Sequence, residues 1–145
     1  MENLTAMAEI HIGAPPAAVW EALIDHDKLR QFMFGADVES DWEVGSPIVW
    51  KGEWKGKPFE DHGKVLKKEE GHLLQYDHFS PLSGRPDVPE NHHTVTIELS
   101  GEGDETELTL TQDHNATEDA RRDAEQNWSM MLQGLRKVVE RERRD

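Results

Sequence analysis

The sequence contains no cysteine. That absence excludes disulfide staples, thiolate metal ligands and a thiol nucleophile, and it fits a reducing compartment. Also missing is any run of about 18 apolar residues, the length at which a segment reads as a membrane span. The opening stretch, MENLTAMAEIHIG, carries no Lys or Arg, so the expectation is a cytoplasmic protein without membrane insertion. Cations are scarce. Sixteen Lys and Arg against thirty Asp and Glu give a formal charge of −14. Such a chain repels phosphate backbones and anionic lipid surfaces, so nucleic acid is not an expected partner. The one basic cluster, 136–144, is interrupted by Glu140 and Glu142 and reads as a helix end complementing its own dipole. GxGxxG, Walker and HExxH motifs and a nucleophile elbow are all absent. The eight histidines lack metal-ligand spacing, so neither a metal nor a cofactor is expected.

What is present suits one domain spanning 1–145, long enough to bury roughly two-thirds of its unfolded surface. Residues 117–144 read as a single amphipathic helix. Ala120, Ala124, Trp128, Met131, Leu132, Leu135, Val138 and Val139 recur at the three- and four-residue steps that share one helical face. Thr117 is the expected N-cap, with Glu118 and Asp119 in the first turn. Near the N-terminus, 6–12 alternates as a strand and Gly13 ends it. Pro15-Pro16 then suits a helix entry, followed by a short helix to about residue 25 and a second over 27–32. From 36 onward the period is two. Strands are expected at 36–41, 48–54, 62–68, 73–79, 92–100 and 106–112, with turn-forming composition between them, including 55–58. Short loops between consecutive strands imply an antiparallel meander. The element order is therefore β, α, α, six β and a long α. An α+β fold follows, in which a curved antiparallel sheet with one apolar face grips the final helix.

Particular residues carry a family likeness. They are Ile12-Gly-Ala-Pro15-Pro16-Ala-Ala-Val19-Trp20-Glu-Ala-Leu23-Ile-Asp25 with Leu29 and Phe32, then Trp42-Glu-Val-Gly45-Ser46 and Gly63-Lys-Val65-Leu66. Leu108-Thr-Leu110-Thr-Gln112 and Asn127-Trp128 with Leu132, Leu135 and Val138 complete the set. Over nearly its whole length the chain resembles the START/Bet v 1-like (SRPBCC) helix-grip superfamily. Within it, the chain is similar to the group named after the C-terminal domain of the activator of Hsp90 ATPase (AHSA1). Phe32-Met33-Phe34 stands where many relatives carry a tryptophan followed by phenylalanine.

The resemblance implies a cavity between sheet and helix that takes a small apolar molecule, such as a lipid, sterol or polyketide-like compound. Strand alternation offers Trp50, Trp54, Tyr76, His78, His93, Val95, Ile97, Leu110 and Gln112 as lining candidates. The helices add Phe32, Phe34, Trp128, Met131 and Leu132. Mostly apolar walls with few polar groups suit small-molecule pockets, and they equally suit a closed core. Two other functions stay open. An enzyme of cyclase or hydrolase type would draw on Tyr76, His78 and His93 for acid–base chemistry. A chaperone-associated interaction module of a stress response would leave the interior unused. A monomer or weak dimer is expected, and the Pro-rich stretch 80–91 reads as either a lid or a long hairpin connection.

Overall fold

Proline and glycine set the element boundaries near the N-terminus, and apolar periodicity sets what each element buries. In the computed structural model the described residues are 4–33, 36–54, 56–80, 86–88, 91–115 and 117–144. Strand β1 (Leu4–Ile12) leads into helix α1 (Pro16–Ile24), which has Pro16 in its first turn, where a missing N–H costs nothing. Asp25 then caps α2 (His26–Phe32) by accepting from the Lys28 N–H at 3.0 Å. Both short helices bury one stripe: Val19, Trp20 and Leu23 from the first, Leu29 and Phe32 from the second.

Six further strands follow: β2 (Asp37–Glu39), β3 (Pro47–Trp54), β4 (Lys57–Glu69), β5 (Leu73–His78), β6 (His93–Ser100) and β7 (Thr106–Asn115). All pair antiparallel in one seven-stranded sheet of order β1-β7-β6-β5-β4-β3-β2. The expected α+β helix-grip arrangement is therefore present. Several boundaries differ: β1 starts at Leu4 and not at residue 6, β2 is shorter than 36–41, and β7 runs past residue 112 to Asn115. β4 begins at Lys57, not near residue 62, so Lys57-Pro58 lies inside a strand and the β3–β4 turn is correspondingly tighter. Pro58 is tolerated near a strand start, where little of the hydrogen-bond ladder is lost.

The last helix, α3 (Glu118–Arg144), begins one residue after its expected cap, and Thr117 Oγ1 accepts from the Ala120 N–H at 3.0 Å. It runs along the edge strand. Glu125 accepts from the Met7 N–H at 3.0 Å and Glu140 from the Gly13 N–H at 2.8 Å. Between those glutamates the helix rises roughly 22 Å at about 1.5 Å per residue. Between Met7 and Gly13 the strand rises roughly 20 Å at about 3.3 Å per residue. Helix and strand thus stay in step, and α3 occupies donors that an edge strand would otherwise present to another chain. No helix among the described residues is long and apolar enough to cross a membrane.

Candidate functional site

Helix α3 changes character along its length. Leu132, Leu135, Val138 and Val139 in its second half are buried in the core, whereas Ala120, Ala124 and Trp128 in its first half are only partly covered. A cleft of about 670 Å³ lies against that first half. Beside it is a smaller chamber of about 160 Å³, lined by Trp50, Phe59, Tyr76 and Ala36. Met33, Asp61, His78, Gln112 and Trp128 border both spaces, so the apolar chamber adjoins the polar cleft. A cavity of about 150 Å³ is large enough for benzene, which makes the chamber about one aromatic ring in size.

Local sequence explains the walls. Trp50 packs on Tyr76 with ring centroids 5.4 Å apart and meets His78 edge-on at 4.9 Å. Tyr76 and His78 are two apart on β5 and so share a face. Phe59 is the β4 partner of Gly52. A Cβ on Gly52 would lie 3.0 Å from the Phe59 ring, so the bare glycine leaves that ring its place.

The polar end has two fixed histidines, with ring centroids 6.3 Å apart. His78 Nε2 lies 2.9 Å from Asp61 Oδ2. An ionised carboxylate only accepts, so Nε2 carries the hydrogen and the neutral ring keeps its lone pair on Nδ1. His93 Nδ1 donates to the Asp113 carbonyl at 2.8 Å, which leaves the lone pair of the neutral ring on Nε2. Burial pushes the His93 pKa below its usual value, opposed by that carbonyl bond, so the ring is neutral at pH 7.

A bulge in β7 makes that carbonyl available. Leu4 pairs with Asn115 and Ala6 with Gln112, which places one extra residue on β7. His114 there has φ +57, and Asn115 is buried. Asn115 bonds Gln112 at 3.1 Å, and Gln112 accepts from the Trp128 indole at 2.6 Å, so the bulge also orients Trp128.

Two side chains in the chamber wall have distinct electrostatics. Desolvation raises the Tyr76 pKa, so its hydroxyl remains a donor at neutral pH. Asp61 has a side chain 15% exposed, and its Oδ1 is buried without a hydrogen-bond partner among the described residues. An unmet buried acceptor costs about 1–3 kcal/mol.

The structure brings together seven of the candidates: Trp50, Tyr76, His78, His93, Gln112, Trp128 and Met131 line the cleft or the chamber. Phe32 and Ile97 instead border a separate space of about 20 Å³, too small for an organic ligand. Val95, Leu110 and Leu132 fill the closed core. Phe34 and the side chain of Trp54 lie outside the described residues. Asp61, Phe59 and Met33 were not anticipated. Phe59 and Asp61 alternate in register, a signal hidden by reading 55–58 as a turn.

Part of the 80–91 stretch also meets the cleft, through Ser80 and Asn91. Asp87 bonds His92 at 2.5 Å and His62 at 3.2 Å, which ties 86–88 to the sheet. Residues 81–85 and 89–90, on which the lid expectation mostly falls, lie outside the described residues. No group of three or more His, Asp or Glu among the described residues is placed to hold a metal ion.

Among solved structures, the chain is similar to a protein of Cytophaga hutchinsonii determined in solution. Identity is 49%, each chain is covered 100% and the TM-score is 0.85. It is also similar to a Nitrosomonas europaea protein at 21% identity, covering 98% of this chain and 97% of that one, with a TM-score of 0.77. The Aha1 dimer of Colwellia psychrerythraea matches at 22% identity over 96% of each chain, with a TM-score of 0.69. These last two show a shared fold. No curated protein matches the chain. A family model described as Activator of Hsp90 ATPase homolog 1-like protein matches residues 13–140. With that match spanning most of the sequence, and with the helix-grip sheet and helix in place, the chain belongs to the Activator of Hsp90 ATPase homolog 1-like family.

Proposed function

We propose that the protein binds a small apolar molecule between the sheet and the first half of α3, with one ring-sized apolar group in the chamber and the remainder in the cleft. The observation that carries this reading is the chamber itself, about 160 Å³ walled largely by aromatic side chains beside an open cleft. Apolar concavities with a few convergent polar groups are what ligand sites look like. A ligand bound only by the folded state stabilises it by about 2.7 kcal/mol at a hundredfold excess over Kd. Ala36 is buried and lines the chamber, so Ala36→Leu should fill it. The expected outcome is that monocyclic aromatic compounds raise the melting temperature of the unaltered protein and not of this variant. Equal shifts in both, with the variant folded, would place the binding elsewhere.

A second reading, acid–base catalysis on the bound molecule, is supported by the His78–Asp61 pair and the neutral His93 facing the same cleft. Under it, His93→Gln would keep ligand binding and lose turnover; retained turnover would remove it. Chaperone association is supported by the family description and by the Aha1 neighbour alone. Its test is whether the chain changes the ATPase rate of Hsp90.

A further inference from the structure

Charge distinguishes this site from one built for fatty acids. Among the described residues, the linings of the cleft and chamber include Asp61 and Asp123 and no Lys or Arg. The whole chain carries a formal charge of −14, so its field concentrates cations and repels carboxylates. At the boundary between chamber and cleft, Asp61 turns Oδ2 to His78, keeps its side chain 15% exposed, and has no Lys or Arg ion-pair partner among the described residues. Tryptophan and tyrosine faces beside it, Trp50, Trp128 and Tyr76, are surfaces that attract ammonium groups.

We infer that the ligand is an arylalkylamine: its aromatic ring fills the chamber, and its ammonium group pairs with the Asp61 carboxylate at the rim. The inference rests on the ligand-binding reading above and specifies it. A ring-sized chamber sets the apolar part, and the Asp61 carboxylate at the rim sets the polar part. A buried carboxylate gains most from a donor that also carries the opposite charge. A neutral alcohol supplies a weaker donor without charge, and a carboxylate would meet like charge with no Lys or Arg in the lining, among the described residues, to offset it.

The test compares four probes on one skeleton, 2-phenylethylamine, 2-phenylethanol, phenylacetate and ethylbenzene, by calorimetric titration at about pH 8, above the ordinary histidine range. Phenylethylamine should bind at least tenfold more tightly than the alcohol or the acid. Asp61→Asn should bring amine and alcohol within threefold of each other. Glu9→Gln, which removes a charge from the exposed face of β1 outside both spaces, should change amine affinity by less than threefold. The probe series needs no variant, so it decides the matter even if Asp61→Asn disturbs the His78 contact.

Alcohol or ethylbenzene binding as tightly as the amine would overturn the inference and leave the ligand-binding reading standing. So would an amine preference that survives Asp61→Asn. Failure of all four probes to saturate would overturn both.

Discussion

At the scale of single residues, His93 and Asp61 show what a fold adds to a sequence. A histidine on a clean β alternation is legible as a candidate, but its state is not. Only the β7 bulge turns the Asp113 carbonyl onto its ring, and burial, aided by the nearby His78 and His114, keeps it neutral. The consequence is a pH dependence of stability. Unfolded His93 takes up a proton near its ordinary pKa of 6.5, while the folded ring resists it to a lower pH. The unfolded state therefore binds more protons in that window, so stability falls as pH drops through and below 6.5 and is unaffected well above it. Urea melts at about pH 5 and about pH 7.5 should show a smaller acid loss for His93→Gln than for the unaltered protein. Equal losses would mean that His93 protonates freely in the folded state. Asp61 was not legible at all: one of thirty acidic residues, it acquires meaning only through β4 pairing opposite Trp50 and the approach of His78.

At the scale of elements, periodicity revealed nearly everything that repeats. The final helix, the two short helices and the alternating faces of β1 and β6 follow from residue spacing. Close approaches leave no such pattern. Gly63 in β4 lies so near β5 that a Cβ there would sit 1.8 Å from the Asp77 carbonyl oxygen. Backbone cannot yield as a flexible side chain can, so Gly63→Ala should destabilise the fold by about 3 kcal/mol or more. A chemical melt within about 1 kcal/mol of the unaltered protein would show that β4 and β5 are further apart than described. Sequence likewise hid how α3 meets the edge strand. Glu140 accepts from the Gly13 N–H across 127 residues of chain. Glu140→Ala should cost about 1–3 kcal/mol, the range for losing a charge-assisted acceptor, and Glu140→Gln distinctly less. Equal and negligible costs would show that Gly13 does not depend on that carboxylate.

At the scale of the molecule, the division of α3 explains why the inner face is part core and part cavity. The apolar stripe reads as continuous in sequence, yet only its Leu132–Val139 end is closed over by the sheet and by α1 and α2. From Trp128 toward the N-terminus the stripe thins to alanines, and small side chains leave space that large ones would fill. Helix composition thus places the cleft, while the β4 extension and the β7 bulge, both illegible beforehand, furnish its polar end. The most direct measurement of this account is an amide and indole NMR titration with toluene, a neutral probe that separates occupancy of the chamber from the charge of its rim. Saturable shifts at Trp50, Tyr76, His78 and Gln112 and at the Trp128 indole, with His26, Ser40 and Asp41 on the separate outer groove unmoved, are the predicted result. Shifts confined to that outer groove, or none that saturate, would contradict it.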